Sequence, residues 1–214
     1  MYNISERISY EITVGENKTM DDNNRDAGLV KAFNSGDAGA LDSLIDRYKG
    51  PLYAYLLRLS RDRSAADDLF QEVFIKVIRE LSSYGERDKF SAWLFTVAHN
   101  AVMDHFRSVS RRREDSLDGA EGDRLPPGDL LPSSEPGPDG CFEAAERAGA
   151  IKAAFDRLSP EQREVFVLRH YSGLSFKEIA GIAGVPIGTV LARMSRAVAK
   201  MRQELGNGEA QGMQ

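Results

Sequence analysis

Cysteine and histidine are scarce in this 214-residue chain: one cysteine and three histidines. A single cysteine excludes an internal disulfide. Cys141 sits in a proline- and glycine-rich stretch with no second thiol and no histidine nearby, so a redox or metal role lacks partners. His99, His105 and His170 are scattered, and His99 and His105 are six residues apart, which is not ligand spacing on one helix face. Asp104 adjoins His105, but neighbours in a helix point to different sides. No glycine-rich phosphate loop with Lys and Ser or Thr is present. These absences leave enzyme chemistry without a constellation; no catalytic residue, metal or cofactor is expected.

Long apolar runs are missing too. Nothing approaches the roughly 18 consecutive apolar residues of a membrane helix. Met1 to Met20 mix Glu6, Arg7, Glu11, Glu16 and Lys18 among apolar residues, unlike a signal peptide. A cytoplasmic protein without membrane insertion is the expectation. Met20 is an alternative start.

Charge is abundant and unevenly placed. The net charge of −5 hides its distribution. From Arg112 to Glu146 ten acids face only Arg112, Arg113 and Arg124. Ile187 to Gln203 carries Arg193, Arg196, Lys200 and Arg202 with no acid. A local basic face therefore coexists with an acidic segment.

Apolar periodicity divides the chain. Leu69, Phe70, Val73, Phe74, Val77, Ile78 and Leu81 make a broad helical stripe. Ser64 is the expected cap of that helix, with Asp67 and Asp68 in its first turn. Leu41, Leu44, Ile45 and Tyr48 make a second face; Leu52, Tyr55, Leu56 and Leu59 make a third. A fourth helix is expected from about Phe90 to Phe106, with Trp93, Leu94, Val97, Ala98 and Val102 inward. Glu114 to about Gly140 holds five of the eight prolines among glycine, serine and acids. Such a segment buries too little apolar surface to order itself and reads as a linker. Helices resume from about Phe142 to Leu205, where Ser159-Pro160-Glu161-Gln162 has the pattern of a helix start.

The last two helices carry the chemical signal. Ser175 caps a short helix with Phe176, Ile179, Ala180 and Ala183 inward. Gly184 stands where a left-handed residue ends it, and Val185-Pro186 restarts the chain. In the second helix Ile187, Val190, Met194, Ala197, Met201 and Leu205 are expected to form one buried stripe. Thr189, Arg193, Arg196 and Lys200 occupy another face and suit the phosphates and base edges of a major groove. This is a helix-turn-helix; a solvated basic face is the alternative for the stripe alone.

Three segments in order resemble the extracytoplasmic-function (ECF, group IV) sigma factors of RNA polymerase. Leu158 to Ala197, LSPEQREVFVLRHYSGLSFKEIAGIAGVPIGTVLARMSRA, resembles sigma region 4. Asp67 to Leu81, DDLFQEVFIKVIREL, resembles the helix of region 2 that docks on the polymerase clamp. Phe90 to Arg107, FSAWLFTVAHNAVMDHFR, resembles the segment that melts and reads the minus-ten element. The resemblance implies an all-α fold: two small helical domains, a region 2 bundle and a region 4 helix-turn-helix, joined by a flexible acidic linker. The bounds are 1–26 for a flexible extension, 27–113 for region 2, 114–141 for the linker, 142–206 for region 4 and 207–214 for a tail.

Functional residues follow from the resemblance. Asp67, Asp68, Gln71, Glu72 and Phe74 match the core-polymerase surface, although Phe74 also reads as plain core. Asn100 matches the residue that receives a flipped non-template base, its amide offering donors and an acceptor to a base edge. Arg107 and the cluster from Arg111 to Arg113 match phosphate contacts. Thr189, Arg193, Arg196 and Lys200 fall on the minus-thirty-five reader. Trp93 reads more readily as core than as a base-stacking wedge. The partners implied are core RNA polymerase (the beta-prime clamp and beta flap), promoter DNA and an anti-sigma factor. An acidic linker running through a basic polymerase channel is also implied. One departure stands out: Leu191 and Ala192 follow Gly188-Thr189-Val190 where the family often has a basic residue and a serine. Either Leu191 meets a thymine methyl or the upstream element differs from the common one. A helix-turn-helix regulator independent of polymerase and a decoy that binds polymerase without initiating are the rival readings. The first leaves Ala27 to Arg113 without a role.

Overall fold

A computed structural model describes residues 24–84, 89–115 and 141–211, with side chains described to 112 in the first half and over 149–205 in the second. Every regular element among them is helical. In chain order they are α1 (24–34), α2 (Ala38–Ser60), α3 (Arg63–Glu80) with a 3-10 turn Leu81–Ser83, α4 (Phe90–Asp115), α5 (Cys141–Asp156), α6 (Pro160–Tyr171), α7 (Phe176–Ala183) and α8 (Ile187–Gln211). The expected all-α class is the observed one. The linker expected over 114–141 falls largely on 116–140, and most of the expected N-terminal extension on 1–23; both lie outside the described residues.

Local chemistry sets the helix ends. The Asp37 carboxylate accepts the Gly39 N–H at 2.9 Å and starts α2. Arg61 ends it in the left-handed region at φ 58°, with its N–H on the Leu57 carbonyl. The next residue, Asp62, accepts the Ala65 N–H at 2.8 Å and caps α3. Asp62, not Ser64, is therefore the cap, because the extended backbone lies at Asp62 and its carboxylate reaches the third amide. Asp67 and Asp68 then fall beyond the first turn. The two apolar faces expected before Asp62 belong to one 23-residue helix that continues through Pro51. That proline removes only the bond to the Arg47 carbonyl, a loss that the packing of Leu44, Tyr48, Leu52 and Tyr55 on one side outweighs.

The first core lies where α2, α3 and α4 meet. Leu52, Tyr55 and Leu56 face Leu69, Val73 and Val77, with Leu94, Phe95, Ala98 and Val102 closing the third side. The α3 stripe is narrower than its pattern implies. Leu69, Val73, Val77 and Leu81 are buried, Phe70 and Phe74 half-buried, and Ile78 is exposed, so Ile78 does not join the core. Helix α4 runs nine residues past Phe106, since nothing in its polar second half breaks it. Trp93 is half-buried between Tyr84 and Phe90, at 4.9 and 5.7 Å between ring centres. Asp26 is buried, receives a hydrogen bond from the Tyr48 hydroxyl and pairs with Arg47 at 3.4 Å. Burial, with the adjoining carboxylate, drives the Tyr48 hydroxyl far above its ordinary pKa. The chain is thus anchored at Asp26, inside the stretch expected to be a flexible extension.

The second core centres on α6. Ser159 caps it in a capping box with Gln162, and Pro160 opens its first turn, as the sequence pattern requires. Arg163 lies 4% exposed, and its guanidinium donates to the carbonyls of Phe155, Asp156 and Leu158 at 3.3 to 3.4 Å. It thereby supplies a donor to carbonyls at the end of α5 and in the turn that follows it. Arg163→Ala strands these groups and is expected to destabilise the protein by about 2 kcal/mol in urea unfolding. An unchanged midpoint would show that water replaces the guanidinium without loss.

The two halves are packed together. Helix α2 lies on α6 and α4 on α7, and the buried apolar residues form one continuous cluster.

Candidate nucleic-acid interface

Helices α7 and α8 are separated by three residues and bent by 105°, within the range of a helix-turn-helix. Ser175 caps α7 in a capping box with Glu178, and Gly184 ends it at φ 63°, the left-handed conformation that favours glycine. Glu178 is held below the usual carboxylate range. Burial alone would raise it, but bonds from the Ser175 hydroxyl and amide and from Lys89 outweigh that effect. Its folded pKa lies below its unfolded one. Its stabilising contribution is therefore complete above about pH 4.3 and is lost as pH falls through the folded value. Ser175→Ala is expected to cost about 1 kcal/mol, read as a lower urea midpoint at neutral pH. An effect of that size that vanished at neutral pH and appeared only in acid would contradict the assignment.

On α8, Val190, Met194, Ala197 and Met201 are buried and Leu205 is half-buried. Ile187 is not part of that stripe: it is 49% exposed, and none of the described elements covers it. Arg196 is exposed, while Thr189, Arg193 and Lys200 are half-buried along the adjoining face. Arg193 faces Glu161 of α6 closely enough to lower the carboxyl, after the Glu161 amide and the Ser159 hydroxyl. Leu191 is 46% exposed and Ala192 is exposed.

The expected minus-ten residues share one face of α4. Asn100, Arg107 and Arg111 are spaced seven and four residues apart, and all are exposed. Asp104 lies between them and pairs with Arg107 at 2.6 Å. That acid tempers the cationic stripe.

Of the expected core-polymerase residues, Asp67, Asp68, Gln71 and Glu72 are exposed on α3. Asp67 accepts the Tyr53 hydroxyl at 2.7 Å, a bond that raises the Tyr53 pKa together with burial. Phe74 is half-buried against Phe70 at 4.7 Å and lies in an aromatic seam rather than on the acidic edge. Asp68, Gln71 and Glu72 instead line an open groove with Ile75, Lys76 and Arg79. Ile75 and Ile78 stand exposed on the same helix. Their exposure would have been legible from the helical angle that separates them from Leu69, Val73 and Val77.

A polar contact joins the two halves, and the sequence gives no sign of it. The Tyr55 hydroxyl donates to Glu164 Oε1 at 3.1 Å, and His99 Nδ1 lies 2.5 Å from the same oxygen. The Glu164 side chain is 8% exposed. Burial, then the Glu164 charge and bond, push the Tyr55 pKa well up. Around this centre Arg58 stacks on Tyr171 at 4.0 Å, Arg61 pairs with Asp156 at 2.5 Å, and Lys89 pairs with Glu178 at 3.1 Å. Among the described residues no group of three or more potential ligands is placed to hold a metal ion. No single described helix is long and apolar enough to cross a membrane.

A helical bundle followed by a helix-turn-helix with a basic second helix defines a nucleic-acid-binding protein of two modules. Residues 44–112 match the family described as Sigma-70 region 2, and residues 148–201 match Sigma-70, region 4. The chain is 30% identical over 173 residues to the RNA polymerase sigma-H factor of Pseudomonas aeruginosa, spanning 81% of this chain and 90% of that one. It is 36% identical to the ECF RNA polymerase sigma factor BldN of Streptomyces coelicolor, over 79% of this chain and 62% of that one. The sigma factor RpoE of Bartonella quintana, solved in complex with the anti-sigma factor NepR, superposes with a TM-score of 0.64 at 27% identity, covering 78% of this chain and 96% of RpoE. The chain belongs to the ECF sigma factors of the sigma-70 family.

Proposed function

We propose that this protein binds core RNA polymerase and carries it to two-part promoters, with no catalytic chemistry of its own. Residues 27–113 dock on the clamp and melt the minus-ten element; residues 142–206 read the minus-thirty-five element as duplex. The observation that carries this reading is the pairing on one chain of an exposed α3 face, where Asp68, Glu72 and Ile75 stand beside Lys76 and Arg79, with a helix-turn-helix whose second helix lacks acids over Ile187–Gln203. Asp68, Gln71 and Glu72 meet the basic clamp, with Ile75 adding an apolar contact. Asn100 receives a flipped base, and Arg107 and Arg111 hold phosphates beside it. Thr189, Arg193, Arg196 and Lys200 hold the upstream duplex. Melting is driven by binding energy, because each contact raises the effective concentration for the next. The protein works in the cytoplasm.

The packed arrangement matters for this function. Elements named for positions −10 and −35 lie about 25 base pairs apart, or about 85 Å at 3.4 Å per pair. The longest described helix, the 26-residue α4, measures about 39 Å. Two halves in direct contact do not span both elements, so the Tyr55–Glu164–His99 contact must break on the promoter. RpoE is named in complex with the anti-sigma factor NepR; for the present protein an anti-sigma factor covering the α3 groove and α8 is the corresponding partner.

Transcription by sigma-free core polymerase on a pool of random upstream sequences tests the reading. Transcripts sharing a two-part element only when this protein is added are expected. Tight binding to core without transcripts would favour the decoy, and specific duplex binding without any affinity for core would favour the independent regulator.

A further inference from the structure

Two large apolar side chains stand exposed at the start of the helix that enters DNA. Ile187 is 49% and Leu191 46% exposed. They are four residues apart, so they lie side by side on one face, about 6 Å apart along the axis. Single exposed apolar residues are ordinary. A pair on the first turns of a recognition helix is not, because that end of the helix approaches the base edges. Thr189, Arg193, Arg196 and Lys200 run along the far side of the helix, a third of a turn or more from this pair at about 100° per residue, and no acid occurs anywhere from Ile187 to Gln203. That charge pattern commits the surface to a polyanion rather than to an apolar protein partner. Ala192, also exposed, is too short to hold the helix away from the groove floor.

We propose that Ile187 and Leu191 read thymine methyl groups in the upstream promoter element. The proposal rests on the sigma-factor reading above and adds the chemistry of its base recognition. Neither side chain can donate or accept a hydrogen bond. The C5-methyl of thymine is the one apolar group that projects into the major groove; the N7, O6, O4, N4 and N6 atoms there are acceptors or donors that lose water at a cost against a hydrocarbon. The two contacts fall about two base pairs apart, since one helical turn matches two steps of 3.4 Å. Specificity at these positions comes from a methyl group, while the basic stripe supplies affinity without sequence preference.

Deoxyuridine differs from thymidine in this methyl alone, which makes the test direct. The preferred upstream element is first selected with the complete holoenzyme of core polymerase and this protein. Each thymine in it is then replaced singly by deoxyuridine, and promoter occupancy is measured for the unaltered protein, Leu191→Ala and Ile187→Ala. Core affinity is measured for all three. Losses of about fourfold, the factor for one buried methyl group, are expected at two positions about two base pairs apart. Leu191→Ala abolishes one of these losses and Ile187→Ala the other. Indifference of the unaltered protein to deoxyuridine, or equal losses in the variants, overturns the proposal while leaving promoter recognition intact. Loss of core affinity in either variant also overturns it, by placing a protein surface on these side chains. Failure to select any promoter sinks the sigma reading itself, and this contact with it.

Discussion

Reversing the charge of Asp68 and Glu72 together, by Asp68→Lys and Glu72→Lys, is expected to weaken binding to core polymerase by about 100-fold, equivalent to about 2.7 kcal/mol. Both carboxylates are exposed and four residues apart on α3, lining one groove with Ile75, Lys76 and Arg79. Against a basic partner, each reversal replaces an attraction with a repulsion at an interface that excludes water. Neither side chain belongs to the cluster of Leu69, Val73 and Val77 on the opposite side of the helix, so urea unfolding is expected to be unchanged. Fluorescence anisotropy of labelled protein against core measures the affinity. A loss below about threefold would place the clamp contact elsewhere on the molecule.

The second large effect concerns the contact between the halves. Glu164→Ala removes the acceptor shared by Tyr55 and His99, leaving a buried hydroxyl and a half-buried ring nitrogen without their partner. Such a loss costs about 1–3 kcal/mol, which raises the population of separated halves by about 5- to 150-fold. The hydrogen bonds of Glu164 reach only the first half, so the second half keeps its own core of Val165, Leu168, Ile179 and Val190. An increased radius of gyration in solution scattering, with helix content retained, is expected. The other ties at Arg58–Tyr171, Arg61–Asp156 and Lys89–Glu178 are partly exposed and contribute little by themselves. An unchanged radius of gyration would mean that the apolar contacts between α2 and α6 hold the halves together without the polar centre.

Local chemistry made much of the fold legible before any coordinates. Ser159, Ser175 and Gly184 act as their positions imply, because a cap is decided by a residue and the amides within three places of it. Ser64 was the expected cap of α3, and the extended backbone at Asp62 places the cap two residues earlier. Ile78 and Ile187 show the limit of periodicity. An apolar residue at core spacing is buried only if a neighbouring element extends over it, and among the described residues neither has that cover. The polar centre at Glu164 was beyond reach for a further reason. Tyr55 and Glu164 are 109 residues apart, and no local pattern pairs a tyrosine of one module with a glutamate of another. The basic stripe of α8 was legible from its spacing, whereas the site residues expected on α3 and α4 came from the family resemblance. How Asp104 and Glu161 temper them required the packed structure.

The most direct measurement is permanganate reactivity of thymines around a selected start site, with core polymerase and this protein added separately and together. Reactive, unpaired thymines in the minus-ten region are predicted only when both are present, and their reactivity is predicted to fall when Asn100→Ala replaces the unaltered protein. Duplex that stays unreactive while the protein alone protects it would contradict the account and identify a regulator that binds DNA without opening it.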